Sequence, residues 1–399
     1  MRTRSFSIIV LLLTLVALVS CGPREVAYEC TDEWGCAVFK PGQKIKIPYI
    51  GPMTGDYAAF GIDISRGAEL AVRAHPTVHG FEIELTAEDD LGSPEQAATV
   101  ANKLAADPQV VAVVGHTFSG ATLAALPIYE EAGIPMMSPS TTMAKFTAMG
   151  SQVYNRVAFS DRLQAERAAK YIYEVLGIRK IVTMHDGGAY GQALATDVAT
   201  DFANLGGTVL SDPVAITPGE TDYSAPLASI AALKPELIYY GGYDADAAVI
   251  VTQMAGAGLA GVKFFGCDGT YGVNFIDLAG TAAEGTYSTY VPIPESAAFD
   301  EFRADYQAAF GDEQGKLSPF SPHGHDAMAI LINAVEKVAV KSGDNLIVPR
   351  KALAEAIRAT SGHQGLLGTL TCDRTGECGP PDLVFMIVQN GEWVKAPGQ

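Results

Sequence analysis

From Ile45 onward the apolar positions alternate between two periods. Ile45–Ile50 is a short apolar run of strand type. The next stretch places Ile64, Ala68, Ala71 and Val72 on one face of a helix. Phe81–Ala87 alternates as a strand, and Ser93-Pro94-Glu95-Gln96 combines a capping box with Pro at the first helical position. The helix it opens would bury Ala97, Val100, Ala101, Leu104 and Ala105. Val110–Val114 is apolar throughout, as expected of a parallel strand covered on both faces. Further strands are expected near Ile134–Met137, Ile181–Met184, Thr208–Val214, Leu237–Tyr240, Val262–Phe265 and Thr286–Tyr290. Helices are expected near 162–176, 190–205, 245–256 and 271–279, with Gly177 and Gly206 as helix-terminating glycines. Such strand–helix–strand units build parallel, doubly wound α/β sheets. About ten strands exceed the usual size of one such sheet, so two α/β lobes are expected. Helices near 296–310, 322–341 and 349–359 follow, then two closing strands, Leu366–Cys372 and Leu383–Gln389.

The 399 residues carry 27 Lys+Arg against 45 Asp+Glu, a net charge of −18. With no basic run, that balance excludes nucleic acid as a partner. At the N-terminus, Arg2 and Arg4 precede an uncharged apolar run from Ile8 to Val19. It is too short to span a bilayer and has the length of a signal-peptide core. Leu18-Val19-Ser20-Cys21 resembles the lipobox of bacterial lipoproteins. That resemblance implies cleavage before Cys21, lipid attachment to it, and membrane contact through this lipid only. Export suits the other cysteines. Cys30/Cys36 and Cys372/Cys378 each enclose a short polar loop and are expected to form two local disulfides, leaving Cys267 free. The two cross-pairings remain open on sequence alone.

In open α/β sheets ligands bind beyond the carboxyl ends of the strands. Six strand-to-helix turns therefore bear on function: Gly51–Gly61, Gly115–Gly120, Ser138–Thr142, His185–Gly191, Gly241–Asp244 and Gly266–Gly269. Together they offer backbone N–H groups at a helix start, hydroxyls, two tyrosines and the Asp268 carboxylate. This set suits a small zwitterion, with donors for its carboxylate and Asp268 for its ammonium.

Motif order from about Ile45 to Trp393 resembles the solute-binding proteins of branched-chain amino-acid ABC importers. The stretches that carry it are VVGHTFSGATLAALPIYEEAGIPMMSPSTT (113–142), HDGGAYGQALA (185–195), TDYSAPLASIAALKPELIYYGGY (221–243), FFGCDG (264–269) and LAGTAAEGTY (278–287). The resemblance implies a type I periplasmic-binding-protein fold with two lobes joined by three crossings. By the same resemblance Ser119 and the Thr142 N–H receive a ligand carboxylate. The Thr141 carbonyl, the Thr142 hydroxyl and Asp268 receive its ammonium. Tyr190 and Tyr243 close over the ligand, while Phe60, Phe118 and Tyr57 wall its side-chain pocket. Three departures from the family pattern stand out. Asp268 is shorter than the usual Glu, Phe118 replaces a smaller residue, and residues 88–92 contain no Cys for the disulfide usual there.

Enzyme signals are weak. Gly256-Ala257-Gly258-Leu259-Ala260-Gly261 matches a dinucleotide fingerprint but follows a helix and precedes a strand, the reverse of the required context. Ser119 lacks a nucleophile elbow. His323-Gly324-His325-Asp326 opens a helix and is read as capping and surface residues rather than a metal site. The expected organisation is a signal peptide (1–20), a lipid-anchored tether (21–43), a first lobe (44–158 and 293–365) and a second lobe (159–292 and 366–396). Crossings are expected near Phe159, Pro292 and Leu367. The expected function is non-enzymatic: a monomeric receptor, without cofactor or metal, that delivers an amino acid to a membrane ABC permease. The alternatives are a sensor on the same fold, a receptor for short amides or small carboxylates, and a secreted hydrolase.

Overall fold

The computed structural model describes residues 28–399; the signal-peptide and Cys21 expectations lie outside the described residues. Two doubly wound sheets dominate the structure. In the first, the strands run in the order Ala87–Asp89, Tyr49–Gly51, Val113–Val114, Met136–Ser138, Tyr154–Arg156, all parallel. In chain order that is 2-1-3-4-5. The second sheet repeats it. Thr208–Val209 flanks Lys180–His185, followed by Leu237–Gly241, Lys263–Gly266 and Tyr287–Tyr290, all parallel. Val384–Gln389 and Glu392–Lys395 then add two antiparallel strands at the far edge. In each lobe the order reverses between the first and third strands. The loops leaving those strands therefore diverge, opening a crevice at the sheet's carboxyl edge.

Strand signals are interrupted where proline removes a donor. Ile45–Ile50 splits into Ile45–Lys46 and Tyr49–Gly51 around Pro48, and the expected Thr208–Val214 strand splits around Pro213 into Thr208–Val209 and Val214–Ala215. Gly258 (φ 86°) and Gly261 (φ 84°) lie between the Asp244–Met254 helix and the Lys263–Gly266 strand. The dinucleotide-like string is thus a helix stop and turn. Cys30–Cys36 and Cys372–Cys378 are disulfides, and Cys267 is a buried thiol.

Three expectations are corrected. The tether is too long as read, because its described end is folded. Cys36–Phe39 pairs antiparallel with Asn345–Pro349, with Ala37 and Phe39 buried. The Asp32 carboxylate also accepts from the N–H groups of Lys351 and Ala352. Four residues of alternation are too few to stand out among Gly, Pro and charge. The third crossing is also misplaced. Leu366–Leu370 does not leave the first lobe: Asp326 holds the Leu366 and Leu367 N–H groups at 2.9 Å each. Gly368–Leu370 forms a hairpin with His363–Gly365. The disulfide loop then bonds along the Tyr154–Arg156 strand through Arg156 N–H to Gly376 and Cys378 N–H to Arg156, both 2.9 Å. The chain therefore crosses only after Cys378, before Val384 joins the second sheet. Finally, His323 is fully buried, not a surface residue. The helices Ala58–Ala74 and Ser321–Val338 cross so closely that a Cβ on Gly67 would lie 1.9 Å from the Ser321 carbonyl oxygen. One on Gly324 would lie 2.2 Å from that of Ile64, and this approach draws His323 inside.

Candidate functional site

The two crevices face each other, and the loops of both switch points meet around one narrow cavity with about 20 Å³ of free space. On the first lobe, Val114 leads through Gly115–Thr117 into the Ser119–Ala132 helix. Hydrogen bonds fix this loop. Thr117 Oγ1 lies 2.7 Å from the Tyr49 hydroxyl, and His116 bonds Asp90 (2.7 Å) and the Tyr129 hydroxyl (3.2 Å). The neighbouring loop is fastened to it, Ser138 donating to the His116 carbonyl (2.9 Å) and Ser140 to that of Thr117 (2.7 Å). The residue preceding the helix, Phe118, has no side-chain acceptor for the first turn. The opening N–H groups of the helix, beside the Ser119 hydroxyl, thus remain for an anion. Ser119, Ser140 and Thr142 line the cavity on this side.

On the second lobe, Cys267 stitches two loops together, accepting from Gly242 N–H at 3.4 Å and donating to its carbonyl at 3.1 Å. Gly269 fits beneath them because a Cβ there would stand 2.5 Å from the Gly242 carbonyl oxygen. Asp268 reaches the cavity from this tie and is 4% exposed. Its Oδ1 accepts from the Tyr190 hydroxyl (2.5 Å) and Gln164 Nε2 (2.8 Å). Burial raises the Asp268 pKa, and those two hydrogen bonds oppose the rise.

Aromatic rings close the apolar end. The Tyr243 ring centroid lies 4.4 Å from Phe118, 5.2 Å from Tyr57 and 6.1 Å from Phe60, all of the first lobe. Phe118 also meets Tyr57 edge-on at 5.3 Å. Gly92 makes room for it, since a Cβ there would be 2.8 Å from the Phe118 ring. The lobes thus touch through side chains, and the cleft is closed.

Of the residues expected at the site, Ser119, Thr142, Tyr190, Tyr243, Asp268, Phe60 and Phe118 line the cavity. Tyr57 stands behind Phe118 and Tyr243. Thr141 does not line it. Its carbonyl accepts from Arg156 Nη1 (3.2 Å) and the Tyr154 hydroxyl (3.3 Å), so the role expected of that carbonyl is taken. Sequence reasoning missed Thr117, Ser140, Gly269 and Phe320, which line the cavity, and Gln164 behind it. Thr117, Ser140 and Gly269 lay inside turns already singled out, and Asp161-x-x-Gln164 at a helix start was an available signal. Phe320 carried none. Among the described residues no group of three or more His, Cys, Asp or Glu side chains is placed to hold a metal ion.

A family model described as periplasmic binding protein matches residues 44–392. Leu/Ile/Val-binding protein homolog 1 of Brucella abortus is 31% identical over 343 residues, covering 85% of this chain and 89% of the relative. Two solved structures are similar in sequence and fold. A leucine-binding protein from Thermotoga maritima is 30% identical with a TM-score of 0.80, over 88% of this chain and 97% of the other. A branched-chain amino acid transporter substrate-binding protein from Streptococcus pneumoniae, in complex with isoleucine, is 26% identical with a TM-score of 0.75, over 89% and 100%.

Proposed function

The chain belongs to the periplasmic binding protein family, and from that premise we propose that it is the extracytoplasmic receptor of an ABC importer for a branched-chain amino acid. The observation that carries this reading is the pairing of opposite chemistries across one cavity. The N–H groups and hydroxyls of Ser119 and Thr142 lie on one lobe and the Asp268 carboxylate on the other. A zwitterion placed between them pairs its carboxylate with the helix N-terminus and its ammonium with Asp268. Its side chain then faces Phe60, Phe118 and Tyr243. The relatives' names point the same way: Leu/Ile/Val-binding, leucine-binding, and one in complex with isoleucine.

Ligand binds the first lobe's loops and draws in Tyr190, Tyr243 and Asp268. It selects the closed form because only that form presents both charged ends of the site. Closure takes place about three crossings, near Phe159, near Pro292 and after Cys378. Residues 32–158 and 293–378 form the first lobe on this reading, and 159–292 with 379–396 the second. Closed protein docks on a membrane permease, and lipid on Cys21 keeps it at the membrane. No covalent chemistry is part of this mechanism.

Isothermal titration with leucine, isoleucine and valine tests the reading; binding to any of them supports it and binding to none refutes it. The aromatic end favours a second reading, a small aromatic or aliphatic carboxylate without ammonium. Such a ligand would bind equally well when Asp268 is replaced by Asn.

A further inference from the structure

Behind Asp268 lies a second buried carboxylate. Asp161, at the start of the Asp161–Lys170 helix, is 1% exposed, and its N–H donates to the carbonyl of the cavity residue Thr142 at 2.7 Å. Gln164, one turn on and fully buried, bonds both carboxylates through one nitrogen: Nε2 to Asp161 Oδ1 at 3.1 Å and to Asp268 Oδ1 at 2.8 Å. The amide cannot be turned the other way, because its Oε1 accepts from the Asp268 N–H (3.1 Å) and the Thr289 hydroxyl. Asp161 Oδ2 is buried with no hydrogen-bond partner.

The surroundings offer no spare positive charge. Tyr190, Tyr239, Tyr243, Tyr290 and the Cys267 thiol face the pair and are neutral, their pKa values raised by burial. Arg156 is the cation among the described residues that bears on Asp161. Its guanidinium is committed to Glu377 and to the carbonyls of Thr141 and Met143. Two carboxylates joined through one neutral amide in a water-poor site cannot both stay ionised without a cation.

We propose that Asp161 and Asp268 form one cation site that holds a shared proton while the closed cleft is empty and gives it up when a ligand ammonium enters. The exchange balances: the proton leaves to solvent, an R–NH3+ group takes its place, and the pair becomes doubly ionised around it. Asp161 thereby acts as a positioning residue for the ligand's ammonium end. This rests on the amino-acid reading of the cleft. Burial, and next the nearness of Asp268, push the Asp161 pKa well up, in accord with the geometry.

Two measurements test it. The first is calorimetry with L-leucine between pH 5 and 8 in buffers of different ionisation enthalpy. It is expected to show about one proton released per ligand bound at some pH in that range, and none for Asp161→Asn, with affinity at least roughly tenfold weaker. Leucine binding by the wild type without proton release at any pH overturns the proposal. The second needs no ligand. A proton held by the folded state alone stabilises the fold at low pH, and that stability is lost as pH rises through the folded-state titration. The thermal midpoint of ligand-free protein should therefore fall more steeply toward pH 8 in the wild type than in Asp161→Asn. Parallel midpoints, with Asp161→Asn equally destabilised at pH 5 and pH 8, would mean a structural role only. Failure of leucine and every other amino acid to bind overturns the amino-acid reading, while the ligand-free titration still decides the shared proton.

Discussion

Replacing Asp268 by Asn perturbs one property of the cleft. Asn is nearly isosteric, and its Oδ1 can still accept from Tyr190 and Gln164, so the local hydrogen bonds survive. What is lost is the charge facing the ligand ammonium. Truncating one partner of a buried, hydrogen-bonded charge pair costs about 2–5 kcal/mol, or about 30- to 4,000-fold in Kd at tenfold per 1.4 kcal/mol. Asp268 is 4% exposed, so solvent screens the pair little and the upper half of that range is expected. Asp268→Ala should weaken binding at least as much and also strand the Tyr190 hydroxyl, at about 1–3 kcal/mol of stability. The assay is isothermal titration with the amino acid that binds the wild type most tightly, alongside urea unfolding of ligand-free protein. Asn should leave the unfolding midpoint unchanged or higher, because a buried carboxylate with a raised pKa destabilises the fold near neutral pH. An affinity within about threefold of wild type, roughly 0.65 kcal/mol, would refute the assignment of Asp268 to the ammonium.

Phe118→Ala should open the apolar end, lower stability by about 3–4 kcal/mol in urea unfolding, and shift preference in competition titrations toward bulkier side chains. Gly324→Ala would force a Cβ to within 2.2 Å of the Ile64 carbonyl oxygen. It should cost about 3 kcal/mol or more by denaturant unfolding, since backbone cannot yield as a side chain can. Burial raises the Asp186 pKa to about 6. Stability from its protonated form is present at pH 4 and lost as pH rises through 6, so Asp186→Asn should flatten that part of the pH–stability curve. At pH 7 the substitution should add up to about 3 kcal/mol of stability, since each tenfold change in a protonation equilibrium is worth about 1.4 kcal/mol.

The cleft was legible because doubly wound sheets present their strand-to-helix loops along one edge. Ser119, Tyr190, Tyr243 and Asp268 all sit in such loops or in the first turn of the helix that each loop opens, and Gly and hydroxyl residues mark these places. What escaped depends on partners distant in the chain. The Thr141 carbonyl is claimed by Tyr154 and Arg156, which no local pattern signals. Phe320 reaches the cavity from the segment leading into the Ser321–Val338 helix, and Asp161 and Gln164 stand behind Asp268 at the start of the Asp161–Lys170 helix. His323 looked like a polar helix opening, but Gly67 and Gly324 let two helices approach until it is enclosed. The third crossing was set too early because Leu366–Cys372 has strand composition yet pairs within a hairpin of the first lobe.

The most direct test of the account is a thermal-shift screen of the mature protein lacking residues 1–21, after exhaustive dialysis, against the twenty L-amino acids and small amides and carboxylates. At about 100 times its Kd a ligand adds roughly 2.7 kcal/mol of stability. A clear rise in midpoint for leucine, isoleucine or valine, abolished in Asp268→Asn, is the predicted result. Stabilisation by a plain carboxylate or amide alone, unchanged in Asp268→Asn, would contradict the zwitterion site at the centre of the account.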